Sequence, residues 1–338
     1  MRPGHPSAAL HSLRGACRRF GGWLLFAAVA CSRSPGKETT KQGSQASLTR
    51  SAVAADEVPR PPPRSLFQLN ISAYAATLAA DDDDDESLYV LTSHAAYRLR
   101  EGEPALHWAL ELGDTPALSA QGIVYWFDGA LRRVPKQGGP SEILVSVSRP
   151  PKHLRSTRES VAWVEPNDEG TALLSLQGSE PRSLYRSPGE LEALAVMDDR
   201  AYFAERTRER WRLGTVALSG GPVRFTEEHA TRTPALLAAA GDVFYYDGPS
   251  STVRRVSSGL EREEVVGNDV ICSPLAVADR VYCAQVSLLF DLPRYGGPAR
   301  PLAPKRAGTI AGLVATKKRV TWLLDVGEDR LEVESLPL

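Results

Sequence analysis

The sequence predicts an all-β fold, a β-propeller of four-stranded blades, and three observations carry that prediction. First, a short apolar, aromatic-rich strand signal returns seven times, at Leu88-Tyr89-Val90, Val124-Tyr125-Trp126, Val161-Ala162-Trp163, Ala201-Tyr202-Phe203, Val243-Phe244-Tyr245, Val281-Tyr282-Cys283 and Val320-Thr321-Trp322. Second, the spacings of 36, 37, 40, 42, 38 and 39 residues match one four-stranded blade rather than a helical hairpin. Third, neighbouring positions such as Tyr125 with Trp126, Tyr202 with Phe203 and Phe244 with Tyr245 are apolar on both faces of the strand. A half-exposed sheet alternates, whereas a blade packed between two neighbours does not. Seven signals predict seven blades, with six the alternative because the Leu88 copy is the weakest. The aromatics read as packing between blades, not as a ligand cage.

Taken in chain order, the first element is an export signal over residues 1–30. Arg14, Arg18 and Arg19 precede the short apolar run Trp23-Leu24-Leu25-Phe26-Ala27-Ala28-Val29-Ala30, the layout of a signal peptide. A bilayer core needs about 20 apolar residues, so the run is too short to span it. Ala28-Val29-Ala30-Cys31 resembles the bacterial lipobox, departing from its commonest form at Ala28 where leucine is usual. The resemblance implies lipidation of Cys31 as the first mature residue. Ser32, rather than aspartate, then implies sorting to the outer membrane, so the expected address is the cell envelope, as an outer-membrane lipoprotein or in the periplasm. An ordinary signal peptide cleaved after Ala30 is the alternative, and Arg18-Arg19-Phe20 raises twin-arginine export as a lesser one.

Residues 31–64 follow as a tether. The stretch is rich in Ser, Gly, Lys, Thr, Gln and Ala and closes on Pro61-Pro62-Pro63; such composition buries too little apolar surface to offset its ordering entropy.

Residues 65–338 form the predicted propeller, and the second repeat shows its anatomy most plainly. Thr115 to Ala120 is an inner strand, Gln121-Gly122 a turn, Ile123 to Phe127 a second strand, Ala130 to Val134 a third, and Gly138-Gly139-Pro140 the turn into a fourth over Ser141 to Val145. Thr233-Pro234 and Ser273-Pro274 open inner strands elsewhere, while Gly220-Gly221-Pro222 and Gly296-Gly297-Pro298 repeat the late turn. Asp198-Asp199, Gly241-Asp242 and Asp279 stand just before anchor strands, where tight hairpins favour Gly and Asp. After Trp322 the chain has room for one further strand, Arg330 to Leu336, so the last blade lacks its fourth. Ser65 to Asn70 precedes the first inner strand and has no blade of its own. Pairing the two closes the ring and leaves no sheet edge open. Tyr125-Trp126-Phe127-Asp128 and Tyr245-Tyr246-Asp247 resemble degenerate forms of the Tyr-Trp-Thr-Asp repeat of receptor propellers, which implies architecture without specifying activity.

Composition narrows function mainly by exclusion. The formal net charge is −1, and the 33 arginines among 40 basic residues are scattered, so there is no electrostatic case for nucleic acid. His5 and His11 fall in the signal, leaving His94, His107, His153 and His229, one in each of the first four repeats, with no pair at metal-ligand spacing. No phosphate loop, nucleophile elbow or zinc signature is present, so no catalytic, cofactor or metal ligand set is assigned. Asp81-Asp82-Asp83-Asp84-Asp85-Glu86 lacks the glycine of a calcium loop and reads as a solvated hairpin. Asn70-Ile71-Ser72 reads as an accidental sequon.

Cys17 leaves with the signal and Cys31 is the lipidation site, so Cys272 and Cys283 are the remaining pair in an exported protein. Simple hairpin register sets residue 276 opposite 283, so a bridge needs the Ser273-Pro274 bend to return Cys272; bonded and free forms both stay open. The resulting expectation is a lipid-anchored binding or scaffolding module for a protein or glycan partner. The competing class is a propeller enzyme, a lyase, lactonase or quinone-dependent dehydrogenase, with its site at the channel mouth.

Overall fold

The computed structural model of the protein describes residues 61–338 except 73–75, 82–83, 85, 110–111, 113–115, 231, 235–236, 304 and 306. The expected signal peptide, Cys31 and the tether up to residue 60 lie outside the described residues. Twenty-eight strands form seven four-stranded antiparallel sheets, with no helix among the described residues.

The chain opens with β1 (Arg64–Leu69). The first blade is β2 (Thr77–Ala80), β3 (Ser87–Leu91), β4 (Ala95–Arg100) and β5 (Leu106–Ala109), and the second is β6 (Ala117–Ser119), β7 (Gly122–Phe127), β8 (Ala130–Val134) and β9 (Glu142–Ser146). The third is β10 (His153–Ser156), β11 (Val161–Asn167), β12 (Gly170–Gln177) and β13 (Glu180–Ser187). The fourth is β14 (Glu190–Met197), β15 (Arg200–Thr207), β16 (Arg210–Ala217) and β17 (Arg224–Phe225). The fifth is β18 (Leu237–Ala239), β19 (Val243–Asp247), β20 (Thr252–Val256) and β21 (Glu263–Gly267). The sixth is β22 (Leu275–Val277), β23 (Arg280–Gln285), β24 (Leu288–Pro293) and β25 (Arg300–Pro301). The seventh is β26 (Thr309–Ala315), β27 (Arg319–Asp325) and β28 (Leu331–Pro337), completed by β1, which pairs antiparallel with β28 from Arg64↔Ser335 to Leu69↔Leu331. The N-terminal strand therefore closes the ring as expected. The expectation that no edge remains is corrected: the outermost strand of every blade is still an edge, some of them very short, as β17 and β25 are, which limits pairing with other chains.

The core is divided into joints between blades. Successive residues of each second strand enter opposite joints: Tyr202 packs with Val243 and Tyr245 of the fifth blade, and Phe203 with Ala162 and Leu173 of the third. Trp322 faces the sixth blade and Leu323 the first. Tyr89, Tyr202, Phe203, Phe244, Tyr245, Tyr282 and Trp322 are all buried. This is why the anchor strands show no alternation in sequence. The Gly-Gly-Pro signals are turns between third and fourth strands in which both glycines take positive φ, 82° and 117° at Gly138 and Gly139, 92° and 125° at Gly220 and Gly221, a region costly for residues with a Cβ.

Antiparallel order gives the ring two unlike faces. One carries the turns between first and second strands and between third and fourth; the other carries the turns between second and third strands and the blade-to-blade connections. These are the turn face and the connection face below.

Candidate functional site

The inner strands surround the axis, and a cavity of about 310 Å³ opens among five of them. Its walls are Thr77 and Leu78 of β2, His153 and Arg155 of β10, Glu192 to Leu194 of β14, Pro274 and Leu275 at β22, and Ala311 to Leu313 of β26. On β10 the sequence His153-Leu154-Arg155 alternates. Leu154 is fully buried in the joint with the second blade, so the histidine and arginine on either side of it face the axis.

Two lining residues are placed there by β-bulges. Register shifts between Leu191 and Ala193 and between Ile310 and Gly312 leave Glu192 and Ala311 without a ladder partner. An extra residue in one strand bends it and re-aims a side chain, and both bulges of the inner strands open onto this cavity.

The electrostatics are unequal. The Nη1 of Arg155 donates to the Leu154 carbonyl at 2.8 Å, and no carboxylate among the described residues pairs with the guanidinium. Surrounding protein lowers its pKa from the ordinary arginine value, although Arg155 is exposed by surface area, which limits that effect. His153 is pulled down to about 4, first by burial and then by the Arg155 charge, against a hydrogen bond to the Glu192 backbone. It is therefore an uncharged imidazole at neutral pH. Glu192 is occupied elsewhere, because its carboxylate accepts a hydrogen bond from Arg206 Nε.

The other histidines lie apart. His107 belongs to β5 of the first blade, where it stacks on Tyr97 at 4.8 Å, and this corrects its assignment to the second repeat. His94 is in the turn between β3 and β4, with its backbone N–H bonded to Thr92 Oγ1. His229 stacks on Trp211 at 4.5 Å and lies 3.4 Å from Glu263. Among the described histidines only His153 lines the axial cavity. The acidic run is also corrected in part: Asp81 is buried and salt-bridged at 2.6 Å to Lys136 of the next blade. Asp84 accepts from Ser87 Oγ at 2.7 Å and from the Glu86 N–H, which hold its pKa below the usual value. Asp82, Asp83 and Asp85 lie outside the described residues.

Cys272 and Cys283 are joined as a disulfide with Cα atoms 4.7 Å apart, both within the joint of the fifth and sixth blades. The hairpin register differs by one from expectation, Leu275 rather than Ala276 lying opposite Cys283, and Ser273–Pro274 is cis.

Arg155 and Glu192 were not singled out from sequence. Arg155 is one arginine among 33, and a bulge has no marker in a single sequence. The available signal was the polar-apolar-polar opening of β10, unlike the apolar second strands.

With fold and cavity in view, the chain is defined as a seven-bladed β-propeller with a mixed apolar and cationic axial cavity. No family model and no curated protein matches it. Solved structures similar to it include YCF48 from Cyanidioschyzon merolae, with 9% identity over 82% of this chain and 99% of that one at a TM-score of 0.61. The Pan2 WD40 domain of Neurospora crassa is similar at 9% identity, 82% and 96% coverage and a TM-score of 0.60. PorZ, an essential surface component of the type-IX secretion system of Porphyromonas gingivalis, matches at 12% identity and a TM-score of 0.52 over 78% of this chain and 39% of its own. At these identities the likeness is one of fold.

Proposed function

We propose that the protein is a lipid-anchored envelope module that binds a protein or glycan partner through the connection face of its ring. One observation carries this reading. β1 pairs with β28 so that Arg64 stands at the turn face and Leu69 at the connection face. The propeller's first strand thus begins at the turn face with Arg64, and the opposite face is the one we assign to the partner. That opposite face carries the mouth of the axial cavity together with Ile271 in a blade connection and Val286 in the turn between β23 and β24. Val286 is 62% exposed and adopts φ 56°, uncommon for a β-branched residue. Its carbonyl accepts the Ile310 N–H at 2.7 Å, so the next blade holds the turn in this conformation and presents the valine outward.

A binding reading also suits the cavity. Acid-base chemistry at His153 needs a second titratable group in reach, and the Glu192 carboxylate is held by Arg206.

The test uses the full chain in a bacterial envelope. An alkyne fatty acid is expected to label wild type and not Cys31→Ser. A photo-crosslinking residue at position 271 or 286 is expected to give one discrete adduct, and the same residue at 198 or 279 on the turn face none. Labelling that persists in Cys31→Ser would remove the anchor; adducts that fail to form at 271 and 286, or form equally on both faces, would remove the docking face.

A further inference from the structure

We propose that the axial cavity is a binding site for a small organic carboxylate, whose charged group is held by Arg155 while its apolar body lies against Leu78, Leu275, Ala311 and Leu313. This goes beyond the docking face, because it uses residues inside the ring and a different class of ligand.

Four observations converge. The cavity of about 310 Å³ is at the small end for ligand pockets and has mixed walls, apolar side chains beside Thr77, His153, Arg155 and Glu192. Arg155 projects into it with a single hydrogen bond, to its neighbour's carbonyl, and without a carboxylate partner among the described residues. The other carboxylate at the wall, Glu192, is bound to Arg206 and does not neutralise it. The bulges at Glu192 and Ala311 bend β14 and β26 where these strands border the space.

These features select the ligand. A guanidinium presents its donors in a planar fork that matches a carboxylate bidentately. The surrounding leucines reward an apolar body and offer a compact inorganic oxyanion nothing beyond the one charge. His153 stands beside the site as an uncharged imidazole and so adds no second positive charge beside Arg155.

The experiment titrates the full-length protein by NMR and calorimetry with benzoate, with benzamide and with inorganic phosphate. Benzoate is expected to bind saturably in the millimolar range or tighter, and benzamide and phosphate each at least tenfold more weakly. Arg155→Gln is expected to weaken benzoate at least tenfold, and Arg208→Gln, on the outer surface of the same face, to leave it unchanged. Arg155→Lys keeps the charge without the fork and is expected to fall between, which serves as the second variant should Arg155→Gln not fold. Absence of benzoate binding, or binding unchanged in both Arg155 variants, would overturn the site. Equal affinity for benzamide or for phosphate would overturn its assignment to an organic carboxylate.

Discussion

His153 and Arg155 stand two residues apart on β10 and line the same cavity, where burial first and then the arginine charge disfavour a proton on the imidazole. A folded pKa of about 4 against 6.5 for the unfolded histidine has a definite consequence for stability. Above pH 6.5 neither state binds the proton. Between 6.5 and 4 the unfolded chain takes it up and the folded one does not, so stability falls as pH falls through that window, and below 4 the loss is complete. With allowance for solvent screening of this half-buried residue, the loss attributable to it is about 2 kcal/mol. Urea denaturation of wild type and His153→Gln at pH 7, 5.5 and 4.5 is expected to show the variant losing less stability by that amount. Parallel pH profiles would show that the imidazole is not shielded. Histidines are conspicuous in any sequence, so His153 was legible as a candidate. Its coupling to Arg155 was not, because four-residue strands such as β10 give too little pattern to say which face meets the axis.

Bulges are the elements that depart most from the regular blade. Besides the two that border the cavity, four outermost strands skip one residue against their neighbour: Leu66 in β1, Leu144 in β9, Leu184 in β13 and Val266 in β21. In each case the extra residue is apolar; Leu184 and Val266 are buried in joints, and Leu66 and Leu144 pack against them. An edge strand thereby bends and turns one more apolar side chain inward. The strand order was readable from turn chemistry and aromatic spacing, whereas these insertions look like ordinary apolar residues in sequence. β16 shows a related economy at Gly214, which lies between Phe203 and Phe225 across both ladders. A Cβ there would come within 2.5 Å of the Phe203 ring and 2.8 Å of Phe225, whose rings meet edge to face at 5.9 Å. Phe203 is fully buried and has no room to withdraw. Gly214→Ala is therefore expected to lower unfolding free energy by about 2 kcal/mol, read by denaturant titration. An unchanged or raised midpoint would show that the rings yield.

At the scale of the whole molecule, stability is shared among joints, and the joint between the seventh and first blades is the one the chain must close from its two ends. Leu69, Leu78, Leu88, Val90 and Leu99 meet Leu323, Leu331 and Val333 there, with Leu66, Phe67 and Ile71 packed against them. Three of these residues, Leu66, Phe67 and Leu69, come from β1 alone. Burying each is worth about 1.5 kcal/mol or more, so removing β1 costs about 5 kcal/mol before the lost ladder with β28 is counted, a large part of a typical domain's total stability. Deleting residues 64–71 is expected to lower the thermal midpoint by about 10 °C or more, and a synthetic peptide spanning 61–72 is expected to restore part of that loss when added in excess. If the deleted protein melts where the intact one does, the first strand is an accessory and the ring is closed by the contacts of β2 with β26 alone. Such independence would contradict the register observed along β1 and β28, because that hydrogen-bonded ladder runs from Arg64↔Ser335 to Leu69↔Leu331 and makes the N-terminal segment the fourth strand of the last blade.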